Sequence, residues 1–326
     1  MTVSPSPWRW LLGRLVLAIP VVAGVTTLTF VLIHLAPGDP IIALAGDGGS
    51  PAYYREMHAK YGLDRSVPEQ FVRYVASVAR GDFGYSFMFQ LPVLRLLLDH
   101  VAASLVLGFA ALAIGVSVGF GAGALCAISR SRVLDAAVRS AASLAYAAPV
   151  FWTGQLLILI AAARLGWLPA GGMSSARETF TGVAWFGDVA AHLILPALTL
   201  SLPVAALVAN VSRAAVVDGL HDSYVRAMYA RGLSRTRVVV RHVIPNAAVP
   251  VATLIGQHAA EIVAGAALTE SLFGWPGVGY LVLHASLHRD YPLVTAAFIV
   301  ISSAVVFFNG LTDAVVAWLD PRVRLT

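Results

Sequence analysis

Residues Tyr224–Asn246 read "YVRAMYARGLSRTRVVVRHVIPN". The stretch carries Arg226, Arg231, Arg235, Arg237 and Arg241, yet it lies in a chain that is 58% hydrophobic and only 12% charged. Soluble domains usually have roughly a quarter of their residues charged, so this composition excludes one. Mean hydropathy is +0.78 and the sequence pI is about 9.6. The formal charge of +5 comes almost entirely from arginine, Lys60 being the only lysine. In so apolar a chain a basic balance points to loops that flank a membrane, not to nucleic acid.

The cost of burying charge places the stretch beside the bilayer. One arginine at mid-bilayer costs at least about 2.5–3.5 kcal/mol, so five forbid insertion. A hydrocarbon core of about 30 Å takes roughly 20 apolar residues as a helix. Six segments meet that length, at about 11–35, 100–128, 135–164, 190–216, 244–270 and 291–318. The expected fold is therefore all-α and polytopic. The first apolar run, Leu15 to Leu35, is too long for a signal-peptide core and reads as a retained membrane helix. The third segment is interrupted at "AAPVFW", where Pro149 should kink it; proline is tolerated there when neighbours satisfy the freed carbonyl. Small residues crowd the second span ("GFGAGALCA") and the fifth ("AGAAL"), which suits close helix packing. The single cysteine, Cys126, allows no intrachain disulfide or cysteine metal site.

Arginine then sets the expected orientation. With the N-terminus in the cytoplasm, one side collects Arg9, Arg14, Arg130, Arg132, Arg139, Arg213, the five arginines of the opening stretch, Arg322 and Arg324. The short opposite loops hold only Arg164, Arg177 and Arg289. Both termini and the opening stretch are expected in the cytoplasm. The outer segment after the first span breaks at Pro37, Gly38 and Pro40. It continues as two short helices, "PAYYREMHAKYGLD" stopped by Gly62 and "PEQFVRYVASVARGDFG" ended by Gly81-Asp82, forming an ordered exterior cap. The expected division is 1–98 for the first helix and cap, 99–320 for a five-span core with its loop at about 218–245, and 321–326 for a cytoplasmic tail.

Within the loop, Asp222 or Ser223 can cap a helix "YVRAMYAR", and Gly232 suits its left-handed end. Ser234 can cap a second helix, "RTRVVVRHV", with Pro245 where the next span begins. Two short helices joined at Gly232 are expected. Arg231 with Arg235 and Arg237 with Arg241 are spaced four apart, with valines between. A lipid anchor would want a broad apolar face; this loop instead looks built to fit a groove in another protein.

The stretch resembles the cytoplasmic "EAA" loop of ABC-importer permeases: Glu-Ala-Ala, three residues, Gly, nine residues, then Ile-x-Leu-Pro. Here Arg226, Ala227 and Met228 take the first three places, Gly232 matches the glycine, and Ile244-Pro245 follow His242-Val243 as the terminal pair. The glutamate is absent, and the peptide-transport branch commonly has Arg-Thr-Ala there, so the departure implies that branch. "GVTTLTFVLIHLAPGDP", "YGLDRSVPEQFVRYV…RGDFG", "HLILPALTL", "TESLFGWPGVG" and "LDPRVR" also look like the first permease subunit of dipeptide, oligopeptide and nickel importers. The ordered set, from about residue 12 to the end, is specific where any one motif is weak.

The resemblance implies a type I ABC-importer transmembrane domain in the bacterial plasma or inner membrane. It implies a second homologous permease beside this one, two cytoplasmic ATPase subunits that take the loop helices into grooves, an external solute-binding protein, and membrane lipid around the complex. No cofactor is expected. The chain has no G-x-x-x-x-G-K-[ST] loop, so ATP hydrolysis belongs to partners. Arg226, Ala227, Met228, Gly232, Leu233, Arg235, Ile244 and Pro245 are the candidate ATPase-coupling residues. His258 and Glu261, a turn apart in the fifth span, and Glu270 near its outer end are candidates for the pathway, because ionisable groups at membrane depth are costly and face a cavity or a partner. His258 and Glu261 can equally form a mutually satisfied pair at a subunit seam, and Glu270 can be part of a gate. His284 and His288 in "HASLH" share a helix face but lack the glutamate of H-E-x-x-H and a third ligand. His34 and His100 at span ends read as interfacial. A secondary transporter would want inverted repeats and mid-bilayer carboxylates, and only Glu261 qualifies. Nothing supports a membrane hydrolase. Nickel, metal chelates, glutathione and oligosaccharides stay open as substrates beside peptides.

Overall fold

The computed structural model describes residues 7–35, 41–42, 50–129, 131–175 and 180–319. The described residues are almost wholly helical, with a single antiparallel bridge between Tyr85 and Pro92. In chain order the helices are α1 (Pro7–Leu35), α2 (Pro51–Tyr61), α3 (Val67–Val78), α4 (Val93–Ile128), α5 (Arg132–Ala147) and α6 (Val150–Leu157), which continues as a π-turn over Ile158–Arg164. They are followed by α7 (Val183–His221), α8 (Ser223–Ala230), α9 (Arg235–Val238) with a π-turn Val239–Val243, α10 (Ile244–Gly265), α11 (Ala267–Phe273), α12 (Val278–Leu287) and α13 (Tyr291–Leu319). The expected breaks at Pro37, Gly38 and Pro40 and the "LDPRVR" tail lie outside the described residues, as do Arg130 and Arg177.

The frame is the pair α4 and α7, with 36 and 39 residues. At 1.5 Å per residue each is roughly 55 Å long, more than a bilayer core requires. They lie side by side because α4 presents glycine at every fourth position towards α7. A methyl group on Gly115 would sit 2.9 Å from Val204 Cβ. One on Gly119 would run into the Ala205 carbonyl oxygen, and one on Gly123 into the Ala209 carbonyl and the Ser212 hydroxyl. The "GFGAGALCA" signal is thus a contact between backbones, the arrangement that lets helices associate where water supplies no driving force. Gly121, on the other side of α4, faces open space.

Other helices attach to this frame. α5 and α6 pack on α7, and α10 lies against both α7 and α4. α13 packs on α10 and α1. Among the described residues four helices are long and apolar enough to cross a membrane: 93–128, 183–221, the continuous run 235–256, and 291–314. Within α1 the apolar described stretch is the shorter 18–32.

Two expected spans are not single rods. The third does more than kink: α5 and α6 meet at 104°. Ala148 is extended (φ −72°, ψ 130°), as the residue before a proline tends to be, and Pro149 then starts the new helix. The fifth ends at Gly265; Ala266 (φ −71°, ψ −2°) is buried at the break, and the "AGAAL" segment turns the chain rather than only packing it. The expected boundary at 98/99 falls inside α4, whose first residues Val93, Leu96 and Leu97 are buried against α12 and α13.

The segment after α1 holds two short helices, α2 and α3. Ser50 accepts the Tyr53 N–H at 3.2 Å to start α2, and Gly62 (φ 67°) ends it. The loop after α3 is pinned to the head of α13 by Asp290, which is fully buried. Its carboxylate accepts from the Ser86 hydroxyl and from the Met88 N–H at 3.1 Å, and it caps α13 through Leu293 N–H at 3.4 Å. Outside the membrane helices, the bond from Arg65 to Glu69, at 2.6 Å, holds that carboxyl below its usual range, with the nearby Arg65 and Arg73 charges adding to it.

Overpacking a close helix contact costs about 1–3 kcal/mol. Gly119→Ala should therefore lower the thermal unfolding temperature of the detergent-solubilised protein, while Gly121→Ala leaves it unchanged. Equal melting of the two variants would show that the glycines do not set the α4–α7 distance.

Candidate functional site

The loop from Asp222 to Pro245 begins where α7 ends. Asp222 is extended (φ −67°, ψ 153°) and caps α8 through its backbone; its carboxylate accepts from the Ser223 hydroxyl at 3.1 Å. Of the two expected caps Asp222 takes the position. α8 is amphipathic over only eight residues. Val225 is fully buried, and Tyr224 and Met228 are half-buried with it. The opposite face shows Ser223, Arg226, Ala227 and Ala230 to solvent.

Gly232 ends the helix at φ 81°. Gly232 N–H donates to the Tyr229 carbonyl at 2.9 Å and Leu233 N–H to the Met228 carbonyl at 3.2 Å. This is the paired 5→2 and 6→1 pattern of a Schellman turn, and Leu233 and Met228 supply its usual apolar contact. A methyl group at position 232 would touch nothing within 4 Å. The glycine is there for its left-handed backbone, not for space.

The chain after the turn differs from the expectation of a second separate helix. α9 runs without a break through the π-turn into α10. Ile244 N–H reaches back five residues to Val239. Pro245 follows at once, and a proline in an α-helix interior would clash with the carbonyl four residues earlier, here that of Arg241. The widened turn changes the register at that proline. Val238, Val239 and Val243 are buried, and Val238 and Val243 form with Val225, Ala247, Ala124 and Val216 a small core that seats the loop on α4 and α7. Composition hid this, because the valines sit among arginines.

The eight expected coupling residues divide into three roles. Arg226 and Ala227 are exposed on α8, and Gly232 and Pro245 are exposed as well. Met228, Leu233 and Ile244 are half-buried and hold the loop in place. Arg235, though exposed, is tied back to the protein: its Nη2 donates to the Ile128 carbonyl at 3.1 Å, covering a carbonyl left without a helix partner at the C-terminus of α4. A second tie, unforeseen in the sequence, is the two-bonded Arg213–Asp135 ion pair between α7 and the first turn of α5; its Nη2–Oδ2 bond is 2.9 Å.

At the other end of α4 the "TESLFGWPGVG" segment forms α11, a turn and the start of α12. Glu270 is 1% exposed. Ser104 Oγ on α4 donates to Oε1 at 2.7 Å, and Tyr280 N–H donates to Oε2 at 2.9 Å. Ser104 in turn accepts Val278 N–H at 2.8 Å, and the buried Trp275 donates its ring N–H to the Ala103 carbonyl at 2.9 Å. Glu270 thus lies in packed protein, as a clasp between the α11–α12 hairpin and α4. Ser104 was not legible in the sequence; a lone serine in an apolar run gives no signal. His258 is half-buried on α10, and Glu261 lies one turn further on, its side chain outside the described residues. His284 and His288 stack at 6.4 Å, with Tyr280 4.3 Å from His284. Among the described residues no three His, Cys, Asp or Glu side chains group as a metal site.

Residues 119–325 match the family model described as binding-protein-dependent transport system inner membrane component, and residues 8–108 match its N-terminal companion. The chain belongs to that family. It is 33% identical to the dipeptide transport system permease protein DppB of Escherichia coli K12, over 97% of this chain and 98% of that one. It is 36% identical to a probable peptide ABC transporter permease protein of Sinorhizobium fredii, over 97% and 99% of the two chains. It is 35% identical to the di/tripeptide transport system permease protein DppB of Pseudomonas aeruginosa, over 95% and 97%. Among solved structures, the inward-facing MetNI methionine ABC transporter matches with a TM-score of 0.55 at 14% identity, covering 70% of this chain and 97% of that one. The fold is that of a type I ABC-importer permease, and the chain is a multi-pass membrane permease subunit.

The clasp gives a direct test. Glu270→Ala would leave the Tyr280 N–H buried without an acceptor, a loss of about 1–3 kcal/mol. The variant should unfold at lower temperature in detergent than Glu270→Gln, which keeps an acceptor. Unchanged stability in Glu270→Ala would mean that the carboxylate does not hold the hairpin.

Proposed function

We propose that this permease forms half of the translocation pathway of an ATP-driven importer of dipeptides or oligopeptides. The peptide assignment rests on near-full-length similarity to permeases named for dipeptide and peptide transport. In this reading a second, homologous permease completes the pathway, two cytoplasmic ATPase subunits drive it, and an external binding protein delivers substrate. The arginine-rich end, with both termini, faces the cytoplasm, in keeping with the arginine bias of the loops.

The observation that carries coupling is the outward face of α8. Ser223, Ala227 and Ala230 leave a low, smooth helix surface that another protein's groove can approach closely, while Val225 and Met228 fix the helix from behind. Movement of an ATPase groove would carry α8 with it. The valine core and the Arg235–Ile128 bond would pass that movement to α4, at whose far end Ser104 holds the Glu270 hairpin. The pathway is then opened and closed by a tilting frame, with no chemistry on this chain.

Reconstitution of the whole importer in liposomes tests the reading. Uptake of labelled dipeptide should require ATP inside the cytoplasmic face, the ATPase subunits and the binding protein. Uptake by this chain alone on an ion gradient would overturn it in favour of a secondary transporter. Independently, a cysteine at Ala230 should react with a membrane-impermeant maleimide only from the cytoplasmic side; labelling from outside would reverse the orientation.

A further inference from the structure

Once the inward contact of Arg235 is set aside, four arginines of the loop remain. Arg226, Arg231, Arg237 and Arg241 are all exposed, and no carboxylate of the described residues pairs with any of them. Arg226 borders the small-residue face of α8, Arg231 stands at its C-terminal end, and Arg237 and Arg241 lie one turn apart beyond the turn. Two exposed acids at the end of α7, Asp218 and Asp222, only partly offset them.

A surface lipid anchor would pair such arginines with a broad face of large apolar residues. Here the outward face of α8 is serine and alanine, Val225, Met228 and Val238 are spent on the loop's own core, and the exposed Tyr229 on α8 and Val240 in the π-turn are two single residues, not a broad face. Four free guanidinium groups around a low helical surface fit a protein groove bearing carboxylates. Resting on the coupling reading above, we infer that the ATPase groove that receives α8 is acidic, and that Arg226, Arg231, Arg237 and Arg241 dock it by charge while Arg235 stays an internal strut. The loop then works by opposite charges at its rim and small side chains at its centre. Complementary charge speeds encounter and fixes register, and rim contacts are weakened by salt.

The test uses the full importer co-expressed with its own ATPase subunits and held in zwitterionic phosphatidylcholine nanodiscs, so that lipid charge contributes nothing. Salt is raised stepwise and the ATPase retained is measured. Replacing Arg231 and Arg237 together by glutamine should move release to lower salt and slow ATPase rebinding roughly tenfold or more at low salt. Arg95→Gln, at an exposed arginine near the other end of α4, should leave the release curve in place. A cysteine at Ala227, cross-linked to the ATPase at low salt, reports docking itself. If the cross-link forms but the release curves coincide, docking is not electrostatic and the inference falls while the coupling reading stands. If the curves separate only when anionic lipid is added, the arginines serve the membrane surface and the inference also falls. Absence of the cross-link in the otherwise wild-type importer overturns the coupling reading itself.

Discussion

The close approach of α4 and α7 is the constraint on which the rest of the structure depends. Three glycines a turn apart, Gly115, Gly119 and Gly123, bring α4 against the backbone of α7 around Ala205 and Ala209. In a membrane, helices are not driven together by water, so packing of this kind and buried hydrogen bonds must do it. Two helices of membrane-spanning length are fixed side by side along much of their length, and most of the other described helices contact that pair.

The attachments at the two ends of α4 are chemically different, and each suits its place. At the arginine-rich end the loop is seated by valines and by one guanidinium on a helix-end carbonyl. Its remaining charge is left outside, where water or a partner protein can receive it. At the other end the tie is a buried carboxylate: Glu270 is bound by one hydroxyl and one backbone amide. Asp290 treats the cap in the same way, joining the Ser86 loop to the head of α13. Buried carboxylates used like this fix geometry more than they add stability, since removing their charge from water offsets much of the bond energy.

Much of this was legible in the sequence, and the reasons are physical. Length and hydropathy marked out long apolar helices, four of which are of membrane-spanning length among the described residues. Gly62 and Gly232 were readable because a helix that must end in a left-handed residue usually ends in glycine. The tilt of α6 against α5 was readable as a break at Pro149, but not as a right-angled turn, since proline marks where a helix fails without saying how far the chain then turns. The run from α9 into α10 was misread because a π-turn has no composition of its own. The partners of Glu270 and of Arg235, Ser104 and the Ile128 carbonyl, lie 166 and 107 residues away, and no local pattern can point across such a separation.

The central claim is that the Gly232 turn joins a docked helix to a moving frame. The most direct measurement is the number of dipeptides imported per ATP hydrolysed by the reconstituted importer with Gly232→Asp. A side chain has room there, but the φ of 81° is strained for anything with a Cβ, so the variant should insert and assemble while the turn loosens. The account predicts that hydrolysis continues while import per ATP falls severalfold. Import per ATP equal to that of the wild type would contradict it.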